Sequence, residues 1–167
     1  MRFDLTTKAS PEQVLQAMTD FTDRRLEIWH KTLDPKVYEV RELGETWAVA
    51  REGSPRVPFW VVIHYDWSDP RLIRWTEVES NHGDGGAGSM TIGPGDDPGS
   101  RVHVEWTTHA VRTRDKIAMF LLHHTMNRVI ARMWREAFDR YAQPALTEHA
   151  QHSPRTGRGD VERVRRR

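Results

Sequence analysis

The chain has 167 residues, of which 37% are hydrophobic and 29% are charged, and this balance excludes a membrane protein and a fully disordered chain while fitting one globular domain. Cysteine is absent, which excludes disulfides, thiolate nucleophiles, iron–sulfur clusters and cysteine-bound zinc, and which agrees with a reducing, cytoplasmic location. The net charge is +1, but residues 155–167 hold six Arg against one Asp and one Glu, so the rest of the chain is slightly acidic.

The first 30 residues predict a short strand followed by two short helices. Apolar and polar residues alternate over 2–7, which is the period of a half-buried strand. The run Ser10-Pro11-Glu12-Gln13 is a helix start, because Ser10 can cap, Pro11 suits the first helical position and Gln13 completes a capping box. A second short helix is expected over about 22–30, after a break at 19–23. The opening residues lack the apolar segment of a secretory signal.

Residues 36–110 predict strands and turns. We expect strands at 37–42, 45–51, 59–67, 72–79, 89–92 and 101–109. The glycine-rich segment 81–88 (NHGDGGAG) lacks the GxGxxG-then-helix pattern and any GKS or GKT, so it is not a nucleotide-binding fingerprint. We predict a loop here, at a hairpin or at the mouth of a cavity.

The last predicted element is one long helix, roughly 113–142, with Pro144 after it. Its apolar stripe is Met119, Leu122, Met126, Ile130, Met133, Ala137 and Tyr141, whose spacings of three and four keep them on one face. Residues 144–167 have no apolar periodicity and are predicted to be a disordered Arg-rich tail, leaving a domain of 1–143. The tail has no interleaved aromatic residues, so we expect no specific nucleic-acid partner, and no apolar run is long enough to insert into a membrane.

This order of elements predicts an α+β domain in which a curved antiparallel sheet packs against one long helix. The opening FDLTTKASPEQVLQAMTD, the Trp-rich strands and the closing FDRYA give the chain a pattern that resembles the START-like, Bet v 1-like superfamily of polyketide cyclases, dehydrases and lipid transporters. The resemblance covers about 1–143. It implies a helix-grip fold, with about seven strands wrapped around the last helix and a cavity for an apolar ligand between them. It implies no particular reaction, since such folds host many functions.

The cavity prediction selects one face of each strand. In the run FWVVIHYDW the more apolar face holds Phe59, Val61, Ile63, Tyr65 and Trp67. It is matched with Trp75, Glu77 and Trp106 on other strands. This choice rests on parity, and a slip of one residue would bring in Arg74 and Thr76 instead. The predicted ligand contacts are Trp67, Trp75, Trp106, Met119, Met126, Ile130 and Met133. The alternative interpretation of the Met stripe is an ordinary core, because periodicity reports burial and not ligand binding.

Three residues are the candidates for acid–base chemistry in that cavity. His123 falls beside the helix stripe, where an imidazole could transfer a proton or orient a ligand oxygen. Tyr65 and Glu77 fall among aromatic residues, where a carboxyl is expected to have a raised pKa and could exchange a proton. The alternatives are a core His satisfied by one partner and, for Glu77, a solvated or salt-bridged strand residue.

The opposite strand face mixes His64, Asp66, His103, Glu105 and His109, which are metal-ligand types. No HExxH or HxH spacing is present, and such a face is more often the solvated outside of a sheet, so we expect no metal and no cofactor. No GxSxG is present either, which leaves a serine-hydrolase site without support.

Two functions of different classes follow from these residues. In the first, the protein is a carrier that binds a small, largely apolar molecule between sheet and helix. In the second, it is an aromatase/cyclase or dehydrase in which a cavity base removes a proton next to a carbonyl while the pocket folds a poly-β-ketone chain. A third interpretation, a stress-related or partner-binding module of the same fold, predicts a filled core. The ligand and the oligomeric state, including a homodimer, stay open.

Overall fold

The computed structural model describes residues 1–55, 57–81, 83–96, 99–110 and 113–143, and of these the side chains of 83–84 and 108–126 lie outside the description. The strands are β1 Arg2–Thr7, β2 Glu39–Leu43, β3 Trp47–Gly53, β4 Trp60–Asp69, β5 Leu72–Ser80, β6 Gly83–Pro94 and β7 Ser100–Ala110. The helices are α1 Pro11–Thr19, α2 Arg24–Ile28 and α3 Thr113–Tyr141. The predicted tail 144–167 lies outside the described residues.

All seven strands form one curved antiparallel sheet in the order β1-β7-β6-β5-β4-β3-β2. The short helices α1 and α2 connect the two edge strands, β1 and β2, and α3 follows β7 and packs along β1. This is the helix-grip architecture that the sequence predicts. In the part of the chain that the structure describes, no helix is both long and apolar enough to cross a membrane.

Helix α1 begins with the predicted capping box. The Gln13 backbone N–H donates to the Ser10 side chain at 3.3 Å, and the Ser10 N–H donates to the Gln13 side chain at 3.0 Å. Pro11 occupies the first turn, where its missing N–H costs nothing. Helix α2 is shorter than predicted and ends at Ile28, with the indole N–H of Trp29 donating to the Ala17 carbonyl at 3.1 Å. These contacts fix the two helices to each other.

The second half of α3 packs through an aromatic cluster centred on Trp134. Its ring lies 5.2 Å from Trp29, 5.7 Å from Phe3, 6.2 Å from Phe138 and 6.5 Å from Trp75, measured between centroids. Edge-to-face and tilted arrangements of this kind bury large apolar areas and add aromatic attraction. The end of α3 is tied to the end of β1, because the Thr7 hydroxyl and the Lys8 N–H both donate to Asp139.

The predicted loop at 81–88 is wrong for most of its length, because β6 begins at Gly83 and runs to Pro94. Glycine normally weakens a strand. Here it is accommodated because large side chains of the neighbouring strand lie over the glycine backbone. A Cβ built on Gly86 would stand 2.6 Å from Cδ of Glu77, and one on Gly88 would stand 2.4 Å from the Trp75 ring.

Candidate functional site

The concave face of the sheet, which α3 covers, carries two rows of side chains in register. One row crosses the strands as Ala48, Tyr65, Trp75, Gly88 and Trp106. The adjacent row holds Ala50, Ile63 and Glu77. The members of both rows are buried, except Gly88 and Trp106, which are partly buried.

Tyr65, Trp75 and Glu77, which are 6%, 3% and 6% exposed, lie on the buried face that the parity choice from the sequence selected. Arg74 and Thr76 are exposed and lie on the other face. Phe59, which the sequence pattern placed on the buried face, is an exception. It is exposed and lies before β4, since the strand begins only after the loop that contains Pro58.

Glu77 of β5 and Trp106 of β7 meet across the intervening strand. The indole N–H of Trp106 donates to Glu77 Oε1 at 3.2 Å, although β6 separates the two strands. Such a contact requires the Glu77 side chain to lie flat over β6, and Gly86 leaves the room for it. The site thus places a carboxyl group between aromatic rings on the concave face, with its position fixed by a hydrogen bond.

Tyr65 belongs to a second polar group, which includes Arg25 of α2 and Glu52 of β3. The Tyr65 hydroxyl donates to Glu52 Oε2 at 2.9 Å, and Arg25 donates to Glu52 Oε1 through Nε at 3.1 Å and through Nη2 at 2.8 Å. The third guanidinium nitrogen, Nη1, donates to the Met18 carbonyl at 2.8 Å, and the guanidinium carbon lies 4.1 Å from the Phe21 ring centre. This buried ion pair joins α1 and α2 to the sheet.

Burial and charge shift the titration of this second group. Burial raises the pKa of Tyr65 well above its ordinary value, and the negative charge of Glu52 acts in the same direction. For Arg25, burial alone would lower the pKa, but the charges of Glu52 and the neighbouring tyrosines outweigh it and raise the pKa. Tyr65 is therefore a neutral hydrogen-bond donor to Glu52 at physiological pH.

The other predicted ligand contacts are distributed over different parts of the structure. Trp67 stacks on Phe21 at 5.7 Å, next to α1, and Ile130 packs partly buried against the core. Met133 borders a small depression beside Ile28 and Trp29, on the side of α3 that faces α2. The side chains of Met119, Met126 and His123 lie outside the described residues. Trp75, Trp106 and Glu77 are thus the predicted site residues that the structure brings together.

The convex face holds the His and carboxylate residues that the sequence raised as metal ligands. His103 Nδ1 lies 2.6 Å from Asp4 and its Nε2 lies 3.2 Å from Glu105, and these hydrogen bonds raise the pKa of His103. His64 stacks on Trp47 and lies on β4, which two strands, β5 and β6, separate from β7. Within the described part of the chain, no three His, Asp or Glu side chains lie close enough to hold a metal ion. His109 lies outside the described side chains.

Sequence reasoning missed Arg25, Glu52 and Trp134. Arg25 and Glu52 are 27 positions apart in a helix and a strand that read as ordinary surface elements, so no spacing signals their pairing. Trp134 was visible as a large aromatic residue one position from the predicted stripe. Trp134 and Phe138 each directly follow a residue of the predicted stripe, Met133 and Ala137, so a stripe one residue wider would have included both.

Comparisons with known proteins agree with this architecture. The family model described as polyketide cyclase / dehydrase and lipid transport matches residues 3–145. A search of curated protein sequences finds no match.

Several solved structures share the fold at low sequence identity. TTHA0849 from Thermus thermophilus is similar with a TM-score of 0.68 and 17% identity, covering 92% of this chain and 99% of that one. The Zhui aromatase/cyclase from Streptomyces sp. R1128 has a TM-score of 0.64 and 15% identity, covering 87% and 96%. A START superfamily protein from Mycobacterium smegmatis has a TM-score of 0.62 and 11% identity, covering 84% and 97%.

Proposed function

Because the chain belongs to the polyketide cyclase / dehydrase and lipid transport family, within the START-like superfamily, we propose that it binds a small, largely apolar molecule between the concave face of its sheet and the first half of α3. The aromatic cluster around Trp134 fills the space between the second half of α3 and the sheet. A ligand would therefore lie beyond this cluster, next to Trp75 and Trp106. Membership of this family supports a ligand-binding fold, and the apolar character of the ligand is inferred from the residues of the concave face.

The observation that carries the proposal is the composition of the concave face beyond the Trp134 cluster. Ala48 and Ala50 are the small side chains of this face, the Glu77 carboxyl group lies over Gly86, and Trp75 and Trp106 supply aromatic walls at an interplanar angle of 86°. Sites for small molecules combine apolar walls of this kind with a few polar groups that orient the ligand. Glu77 is such a polar group.

The experiment is a binding measurement with an environment-sensitive apolar dye, 1-anilinonaphthalene-8-sulfonate, and with oleate as a competitor. We expect a saturable increase in dye fluorescence at one dye per chain, reversed by oleate. Ala50→Phe adds a ring to the concave face and should weaken dye binding at least tenfold. Val49→Phe, its neighbour on the convex side of β3, is the matched control and should leave dye binding unchanged.

Circular dichroism and urea unfolding of both variants show whether each keeps the fold. A wild-type chain that folds but binds neither dye nor oleate contradicts the proposal. Dye binding that is weakened equally by Ala50→Phe and Val49→Phe contradicts a ligand site on the concave face, because the two side chains point to opposite faces of the sheet.

A second candidate function is that of an aromatase/cyclase or dehydrase, favoured by the presence of a carboxyl group on the concave face. In this proposal Glu77, Tyr65 and His123 are the candidate proton-transfer groups. A base would remove a proton α to a carbonyl, the carbanion would attack a second carbonyl of the same chain, and the resulting alcohol would lose water. Proximity in a shaped site would supply much of the rate.

The two candidates separate in one comparison. His123→Ala and Glu77→Gln are assayed for turnover of a model poly-β-ketone thioester and for dye binding. Turnover by the wild-type chain that is lost in a variant with dye binding kept supports the enzyme. Dye binding without turnover in the wild-type chain supports the carrier.

A further inference from the structure

Resting on the proposed function, we propose that Glu77 is a specificity-determining residue that selects aromatic ligands bearing a hydroxyl group over the same ring systems without one. Its carboxyl group lies on the concave face with only 6% of the residue exposed. Trp75 and Trp106 border it, and these two rings pack edge to face with centroids 5.9 Å apart. The site therefore combines a hydrogen-bond acceptor with aromatic surfaces, and a phenol-like ligand matches both.

The position of the carboxyl group is fixed before any ligand arrives. The Trp106 indole donates to Oε1 at 3.2 Å, and the Gly86 backbone lies directly beneath the carboxyl group. A Cβ at position 86 would reach 2.6 Å from Cδ of Glu77, so the side chain rests on the strand and does not project freely. A group held in this way loses little conformational entropy when it accepts a ligand hydrogen bond.

The chemistry of a carboxylate determines what it selects. Its two oxygens offer about four acceptor sites and no donor, so a carboxylate that already accepts hydrogen bonds within the chain can accept a further one. A ligand hydroxyl can supply that donor, whereas a hydrocarbon ring excludes water from the carboxylate without replacing the lost hydrogen bonds. A site of this kind discriminates against the analogue that lacks the hydroxyl.

The test compares 2-naphthol with naphthalene, which share one ring system and differ by a single hydroxyl. Their dissociation constants are measured by displacement of the dye from the full chain, and the readout is the ratio between the two ligands. We expect Glu77→Met, which removes the acceptor and keeps the length of the side chain, to reduce the preference for 2-naphthol about tenfold. Glu79→Met, two residues along the same strand at an exposed position, should leave the ratio unchanged.

Glu77→Gln keeps the measurement possible if Glu77→Met fails to fold, since the amide oxygen still accepts from Trp106. It should reduce the ratio a few-fold, because hydrogen bonds to a neutral acceptor are weaker. If the ratio of the two dissociation constants is unchanged in the folded variants, and both ligands still displace the dye, the proposed role of Glu77 is wrong while the proposed binding function stands. A wild-type chain that binds neither naphthalene nor the dye overturns the proposed function instead.

Discussion

Trp106 and Glu77 are joined by a 3.2 Å hydrogen bond that crosses a whole strand of the sheet. The bond connects β7 to β5, and it exists because β6 carries glycine where other strands carry side chains. The same residues therefore serve the fold and the proposed site. Changes at either residue should be visible in stability as well as in ligand binding.

Trp106→Phe removes the indole N–H and keeps an aromatic ring. We expect the free energy of unfolding to fall by about 1–3 kcal/mol, because a buried carboxyl group loses one of its donors. Urea unfolding followed by circular dichroism measures the change. Trp60→Phe is the control, since Trp60 lies on the convex face with the Arg51 guanidinium 4.2 Å from its ring centre, where a phenyl ring can replace it. Equal losses in the two variants would contradict the prediction.

Gly88→Ala tests whether β6 needs its glycines. The new methyl group would stand 2.4 Å from the Trp75 ring and 2.6 Å from the Glu105 carbonyl oxygen, and neither can move without disturbing the sheet. We expect a loss of about 1–3 kcal/mol in the free energy of unfolding, from overpacking of a filled site. Gly93→Ala in the same strand is the matched control, because its added methyl would stand 4.0 Å from the nearest atom, the Arg101 carbonyl oxygen. A destabilised Gly93→Ala would show that glycine composition and not the contact at position 88 is responsible.

Glu52→Gln tests the ion pair that joins α2 to the sheet. Arg25 is 3% exposed and donates twice to Glu52, so removing the negative charge leaves a buried guanidinium without its counter-ion. We expect a loss of about 3–5 kcal/mol in the free energy of unfolding. Glu79→Gln removes the partner of Arg41 in an exposed pair of the same 2.8 Å length and should change stability far less. The midpoints of thermal or urea unfolding of both variants measure the two losses. Similar losses of stability would contradict a special contribution of the buried ion pair.

Much of the fold follows from local sequence signals. The Ser10–Gln13 capping box, the alternation in β1 and β7 and the long apolar period of α3 each report a local preference of the backbone, and the structure has the corresponding helices and strands. The pairing of consecutive strands from β2 to β7 then follows from the short turns between them, whereas β1 pairs with β7 across most of the chain. The concave face was identified for the same reason, since an alternating strand has only two faces to choose from.

The parts that local signals could not predict depend on partners distant in sequence. Gly86 and Gly88 looked like loop residues because glycine is poor in strands, and only the side chains of β5 show why they are tolerated there. Arg25 and Glu52 each look like solvated charges until α2 folds against β3. Trp134 joins residues from β1, the end of α2 and β5, so its place in the core is set by tertiary packing and not by the helix period alone.

The buried hydroxyl of Tyr38 should make the protein less stable at alkaline pH. Its hydroxyl is buried, finds no hydrogen-bond partner among the described residues, and has its pKa raised to about 12, mainly by burial, with Arg25 opposing and Glu52 adding to the shift. The ordinary value is about 10, so between these values the unfolded chain releases the proton while the folded chain keeps it. The free energy of unfolding should therefore fall as the pH rises from about 10 towards 12, and Tyr38 should contribute no pH dependence below that interval.

Tyr38→Phe removes this contribution. At pH 8 we expect the variant to be more stable than the wild type by about 1 kcal/mol, because an unsatisfied hydroxyl is no longer buried. As the pH rises above 10 the advantage should grow by about a further 1 kcal/mol, a figure reduced for the partial exposure of the ring. Urea unfolding of both proteins at pH 8, 9, 10 and 11 measures the difference, in which the titration of all other groups cancels. A difference that stays constant over this range would mean that the Tyr38 hydroxyl titrates alike in the folded and unfolded chains.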